Sequence, residues 1–281
     1  SRKADLAILG LSFIWGTTFS LIKDALNDVS PILYNSIRFI IASIIYWVIF
    51  KDKLRSFKKP LIKAGIITGL FMALGFGFQT LGLNYTTASK SAFITGLSVI
   101  FVPFFMITIE KTWPRLIVIY CAIQSLIGLR LMTMSGSNNG INIGDLFTLF
   151  CAVAFALHLI CVKIYTEKYD YIKLTFFQLI ITAILNTLAI PFFETPRFTF
   201  TLTVVWAILI TSVLCSAAAV YIFNRVQRHT TAAHAAIIFT MEPVFAALIA
   251  YLFYGERMGS IGILGAGLIL TGMLLSELKK F

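Results

Sequence analysis

Ten apolar runs, each near the length of a membrane-spanning helix, follow one another at about 4–22, 31–50, 62–84, 90–109, 115–134, 144–163, 173–192, 203–223, 231–253 and 260–278. A helix rising about 1.5 Å per residue needs roughly 20 apolar residues to cross the hydrocarbon layer. The breaks carry turn formers or charge, as in Asp28-Val29-Ser30-Pro31, Lys51 to Lys59, Ser135 to Gly140, Glu194-Thr195-Pro196 and Gly255-Glu256-Arg257. Of the 281 residues 59% are hydrophobic and 12% charged, whereas a soluble domain is about a quarter charged. A globule in water could not hide this much apolar surface, and the composition excludes disorder. The expected fold class is an all-α membrane protein with ten transmembrane helices, and its first partner is the lipid bilayer.

Ten spans consume roughly 200 residues and leave about seven for each loop or tail. No room remains for a soluble catalytic or nucleic-acid-binding domain, and no nucleic-acid partner is expected. The net charge of +11 is instead the lysine and arginine excess of cytoplasmic loops. Cys121, Cys151, Cys161 and Cys215 all fall within apolar runs without framework spacing, and read as small core residues. The first span begins at once and shows no cleavage-site pattern, so no removable signal peptide is expected.

The basic residues fall on alternate breaks. With the N-terminus in the cytoplasm, seventeen lie on that side, in groups around Arg2, Lys51 to Lys63, Lys111, Lys163 to Lys173, Arg225 and Lys279. Four lie opposite: Lys23, Lys90, Arg197 and Arg257. Arg38 and Arg130 are within spans. The bias places both termini in the cytoplasm and requires an even number of spans.

The chain also aligns with itself. A shift of 140 pairs Asp5 with Asp145, Trp15 with Phe155, Lys23 with Lys163, and Arg38 with Gln178. A shift of 144 pairs Thr86-Thr87-Ala88-Ser89-Lys90-Ser91-Ala92 with Thr230-Thr231-Ala232-Ala233-His234-Ala235-Ala236, and Glu110-Lys111 then falls opposite Glu256-Arg257. These matches, in one order, predict two five-helix repeats, 1–140 and 141–281. Five is odd, so the second repeat must be inverted relative to the first. Inverted repeats mark secondary transporters whose substrate site lies near the midplane, between the halves.

Trp15-Gly16-Thr17-Thr18-Phe19 resembles the Trp-Gly-Ser/Thr signature of the EamA-type drug/metabolite transporters, a superfamily of ten-helix exporters. Arg38-Phe39 resembles the Arg-Phe pair of their second span. Gly144-Asp145-Leu146 with Ala156-Leu157-His158 looks like the start of their second repeat. Glu242-Pro243-Val244-Phe245-Ala246-Ala247-Leu248, followed by Tyr254-Gly255-Glu256-Arg257, resembles the stretch that ends their repeats. The resemblance covers nearly the whole chain. It implies ten helices, two inverted repeats, a central cavity and export of small metabolites, amino acids among them. In departure from the pattern, the first half has no proline opposite Pro243, carries Glu110-Lys111-Thr112 in place of Gly-Glu-Arg, and holds Arg130 in a span.

Polar groups within spans are the candidates for a binding site. Glu242, about eleven residues into its span, would bind a cationic group or carry a proton, or else serve the backbone loosened by Pro243. Arg38 would meet a substrate carboxylate or pair with Glu242, or else anchor packing; Gln178 keeps a polar group at the equivalent place. His158 suits proton coupling, since an unperturbed imidazole titrates at about pH 6.5, or a packing hydrogen bond. Its neighbour Cys161 makes no zinc site with it alone. His234 reads as interfacial. Trp15 and Thr18 offer an apolar wall beside a hydroxyl. Gln79, Ser98 and Tyr221 are further lining candidates. Asn84, Ser91, Thr95 and Asn224 extend the polar set. Asp5, Asp145, Lys23 and Lys163 read as interface anchors. The small residues Gly65, Gly69, Gly262, Gly265 and Gly272 suit close helix packing, within the chain or in a weak dimer.

No phosphate-binding Gly-x-x-x-x-Gly-Lys-Ser/Thr loop, His-Glu-x-x-His, Gly-x-Ser-x-Gly or potassium-filter sequence occurs. The expectation is a non-enzymatic secondary transporter of a small molecule in a prokaryotic cytoplasmic membrane, without cofactor or metal, as a monomer or weak dimer. Proton coupling stays open. The alternative is a lipid-linked or nucleotide-sugar translocator on the same scaffold.

Overall fold

A computed structural model describes residues 2–110, 113, 116–134, 142–227 and 238–278. Every regular element among them is a helix: α1 (Arg2–Ala25), α2 (Pro31–Phe50), α3 (Lys59–Tyr85), α4 (Ala88–Gly96), α5 (Ser98–Glu110), α6 (Leu116–Met134), α7 (Ile143–Lys168), α8 (Tyr171–Phe193), α9 (Leu202–Ile210), α10 (Ala219–Gln227), α11 (Met241–Tyr254) and α12 (Ser260–Leu278). A π-helical stretch, Thr211–Ala218, joins α9 to α10. Among the described residues seven spans are long and apolar enough to cross a membrane, with α4–α5 and α9–α10 each forming one of them. Leu116–Met132, Met241–Tyr254 and Ser260–Leu275 are shorter apolar helices.

Local chemistry sets the helix starts. Asn142 and Asp145 form a reciprocal capping box at α7, with Asp145 N donating to Asn142 Oδ1 at 2.9 Å and Asn142 N to Asp145 Oδ2 at 3.1 Å. Asp170 Oδ1 accepts from Ile172 N and Lys173 N at α8. The start of α2 is capped from a distance. Glu194, just beyond α8, accepts from Ile32 N at 2.9 Å, Leu33 N at 2.7 Å and Ser30 Oγ at 2.8 Å. An isolated antiparallel bridge, Val29 to Phe198, ties the same two loops.

The major packing partners come from opposite halves of the sequence: α3 lies on α7 and α8, α2 on α8, and α1 on α11, while α6 lies on α12. The last pair shows why α12 is rich in glycine. A Cβ on Gly265 would stand 2.5 Å from the Gly128 carbonyl, and one on Gly128 would stand 2.6 Å from the Gly265 carbonyl. The small face of α12 is therefore used inside the chain at this level. Large apolar side chains such as Trp47, Leu188, Phe192, Trp206 and Phe253 are exposed, which fits a lipid-facing surface.

Two spans break midway. Helical order lapses at Leu97 between α4 and α5, and at Thr240 just before α11. The two breaks are 143 residues apart, and Ser98 and Glu242 follow them 144 apart. Glu242 is thus in the first helical turn of α11 rather than deep in an unbroken helix. Pro243, also in that turn, removes no interior hydrogen bond, because first-turn N–H groups have no intrahelical acceptor. The start of the run expected at 231–253, with His234 and Thr230 to Ala236, lies outside the described residues. So do the predicted break from Ser135 to Gly140 and the basic residues Lys111, Arg115, Arg228, Lys279 and Lys280.

The bundle's two ends differ. At one, Lys23 Nζ donates to the carbonyls of Leu83 at 3.0 Å and Thr86 at 2.7 Å. Beside them Lys90 and Asp145 form an ion pair at 2.9 Å, and Thr86 Oγ1 donates to Asp145 Oδ1 at 2.7 Å. At the other end Tyr46, Phe50, Tyr171 and Tyr221 form an aromatic cluster.

Candidate functional site

A cavity of about 120 Å³ lies between the two ends. The first break and the first turn of α11 both reach it, through Gly96, Ser98 and Glu242. Aromatic rings form a large part of the wall: Trp15, Phe19, Phe76, Phe155, Phe223 and Phe239. Trp15 stacks on Phe239 at 5.6 Å between centroids and meets Phe223 at 6.0 Å. Its indole N–H donates to the Cys215 carbonyl at 3.0 Å.

Gly16 explains how α1 comes so close to α11 beside the cavity. A Cβ there would stand 2.7 Å from the Glu242 carbonyl and 2.9 Å from Phe245 Cβ. Only hydrogen fits, so α1 and α11 meet backbone to backbone at the level of the cavity.

Arg38 is the cation of the wall and is 1% exposed. Its Nε donates to Ser216 Oγ at 2.8 Å. Its guanidinium lies 4.5 Å from the Phe76 ring centre and 5.1 Å from that of Phe39. Nη1 is buried with no hydrogen-bond partner. Glu242 is the anion of the wall, and among the described residues no hydrogen bond to its carboxylate occurs. Positive and negative groups in one apolar chamber act strongly on any polar guest, since little solvent screens them.

Seven of the nine predicted site residues line the cavity: Trp15, Thr18, Arg38, Gln79, Ser98, His158 and Glu242. The other two do not. Gln178 is fully buried one step behind the wall, with its Oε1 3.0 Å from His158 Nε2. Tyr221 points away to the aromatic cluster, stacked on Phe50 at 5.1 Å. Thr18 Oγ1 donates to its own helix at the Trp15 carbonyl, 2.7 Å away. Asn224 Nδ2 donates to Thr175 Oγ1, helix to helix. Lys23, Lys90 and Asp145 bind one end together, and Lys163 pairs with Glu167 on its own helix. The wall residues not singled out are nearly all apolar, Phe76, Phe155, Phe223, Phe239 and Met72 among them. Phe155 had a signal, as the repeat mate of Trp15. Ser216, which holds Arg38, had none beyond being a hydroxyl in an apolar span. Among the described residues no group of three or more side chains could hold a metal ion.

The sequence profile of the EamA-like transporter family matches this chain twice, over residues 2–134 and 142–278. The chain belongs to that family. An uncharacterized transporter of Archaeoglobus fulgidus is 31% identical over 278 residues, which cover 98% of this chain and 86% of the relative. The uncharacterized transporter YoaV of Bacillus subtilis is 24% identical over 281 residues, covering 98% of this chain and 96% of its own. A crystal structure with 17% sequence identity superposes with a TM-score of 0.71, covering 99% of this chain and 97% of the other. That likeness is one of fold.

Family membership and the apolar helices make the chain an integral membrane protein of a transporter family. The signatures that resemble EamA proteins acquire physical roles. In Trp15-Gly16 the indole walls the cavity and the glycine admits α11. In Gly255-Glu256-Arg257, Gly255 ends α11 in the left-handed region at φ 65°. Glu256 then reaches the backbone N–H of Ser89 at the start of α4, at 3.3 Å.

Proposed function

We propose that this protein is a secondary carrier that exports small zwitterionic metabolites of the amino-acid kind. The observation that carries the reading is the presence, in one chamber, of Arg38 with a buried Nη1 and of the Glu242 carboxylate, neither with a hydrogen-bond partner among the described residues. A carboxylate on the cargo would satisfy Arg38, and an ammonium group would satisfy Glu242. Trp15, Phe239 and Phe223 would hold an apolar side chain. Both charges become paired only when cargo is present, which gives it differential affinity between conformations.

The twofold family match supports ten spans in two inverted five-helix repeats, 1–140 and 141–281, rocking about this site. The charge bias supports cytoplasmic termini in a prokaryotic inner membrane. The Lys90–Asp145 end is then the outer end, closed by ion pair and hydrogen bonds, and Tyr221 marks the cytoplasmic mouth. Arg38 is the only lysine or arginine among the lining residues, and one cation is too few for a diphosphate headgroup. That favours a soluble zwitterion over a lipid-linked or nucleotide-sugar cargo. Glu242 would release a proton or a cargo ammonium in alternate halves of the cycle.

The test is counterflow in proteoliposomes with labelled phenylalanine, leucine, phenylethylamine and a neutral polyol, with and without a pH gradient. Saturable counterflow of the amino acids, exceeding that of the amine and the polyol, supports the reading. Saturable counterflow of the polyol alone, or headgroup-labelled lipid flipping without amino-acid flux, overturns it.

A further inference from the structure

Thr211–Ala218 is wound as a π-helix inside an otherwise α-helical span. Such stretches are rare and concentrate at functional sites. Here three side chains from the first two helices end on it. Trp15 donates to the Cys215 carbonyl at 3.0 Å. Arg38 Nε donates to Ser216 Oγ at 2.8 Å. Tyr34 OH lies 2.8 Å from Thr211 Oγ1. Adjacent residues of one irregular turn therefore hold the two largest polar-tipped side chains of the cavity wall.

A guanidinium offers two ways of taking a carboxylate with a pair of parallel hydrogen bonds, side-on through Nε and one Nη or end-on through both Nη atoms. Ser216 occupies Nε, so the side-on edge is used up. Phe76 and Phe39 flank the guanidinium, and Nη1 has no hydrogen-bond partner among the described residues. We infer that Ser216, presented by the π-helical stretch, is the specificity-determining positioning residue of the cavity, fixing Arg38 so that it receives a cargo anion end-on. This rests on the reading of the cavity as a carboxylate-binding chamber. It goes beyond it by assigning the geometry of recognition to a residue that touches Arg38 rather than the cargo.

The experiment uses the full chain in nanodiscs and proteoliposomes, as wild type, Ser216→Ala and Ser216→Thr. The rate of phenylglyoxal addition to Arg38 is followed by peptide mass spectrometry, and KM and Vmax of counterflow are measured for phenylalanine and for phenylethylamine, its carboxylate-free analogue. Loss of one hydrogen bond to a charged group corresponds to about tenfold in binding. Ser216→Ala is expected to raise KM for phenylalanine about tenfold with Vmax little changed, to leave phenylethylamine unaffected, and to alter the Arg38 addition rate several-fold. Ser216→Thr, which keeps the oxygen, is expected to behave as wild type. Equal Arg38 addition rates in wild type and Ser216→Ala overturn the positioning role whatever the protein carries. A KM that rises equally for both probes overturns the specificity role. Wild-type flux of neither probe refutes the carboxylate chamber itself, and the Arg38 rate then still decides the positioning role. If Ser216→Ala fails to fold, Ser216→Cys, a weak acceptor, is used in its place with the same criteria.

Discussion

Lys90 Nζ stands 2.9 Å from Asp145 Oδ2, with both side chains nearly out of contact with solvent and the carboxylate also accepting from Thr86 Oγ1. The pair joins the start of α4 to the start of α7. A buried pair gains little over an apolar substitute, but breaking it strands a charge. Asp145→Asn is expected to lower stability by about 3 kcal/mol, while adding Lys90→Met, which removes the stranded ammonium and leaves the new amide oxygen to accept from Thr86, recovers part of the loss. Thermal unfolding in detergent measures both, and equal melting temperatures for Asp145→Asn and wild type would contradict the expectation.

Gly16 faces the Glu242 carbonyl at a distance that admits no methyl group. Gly16→Ala must push α1 from α11 at the level of the cavity. Overpacking of this kind costs about 1–3 kcal/mol, and the displaced Trp15 should lower counterflow as well as the melting point. Gly10→Ala is the control, since a Cβ there meets nothing within 4 Å, and it should leave both unchanged.

Glu194 caps α2 from another helix, accepting from Ser30, Ile32 and Leu33. An anion at a helix N-terminus adds to the value of its hydrogen bonds. Glu194→Ala is expected to cost about 2 kcal/mol, and Glu194→Gln about half of that. Hydrogen exchange at Ile32 and Leu33 is the direct readout, and unchanged protection in the alanine variant would exclude the cap.

Glu242→Gln keeps the shape of the α11 start and removes its charge. The expected result is a folded protein that has lost response to a pH gradient and binds amine-bearing probes at least tenfold more weakly. Gradient-driven counterflow at the wild-type rate, in protein with an unchanged melting temperature, would sink the role given to this carboxylate.

Much of this was legible because the bilayer constrains sequence so tightly. The run at 31–50 is α2 to the residue, and loops were marked by residues that shape helix ends, Glu194 at the start of α2 and Gly255 at the end of α11 among them. Polar residues in apolar spans led to Trp15, Arg38 and Glu242 because such residues rarely face lipid. Faces were harder to assign. A helix apolar all round carries little moment to orient it, so Gln178 could not be told from a wall residue. Tyr221 follows the π-helical stretch, where each turn takes up about one residue more than an α turn, so faces extrapolated from α periodicity rotate downstream of Thr211. The lapse at Leu97 had no proline or charge run to announce it, whereas Pro243 lies three residues beyond the lapse at Thr240.

Those two lapses bear on the mechanics of the molecule. Bending an intact helix inside hydrocarbon would strip backbone N–H and C=O groups of their partners where no water can replace them. At Leu97 and Thr240 the regular winding has already stopped beside a cavity. A bend in either span that spares the lipid-facing backbone would fall at these two residues, at the depth of the cavity, rather than in the regular helix on either side.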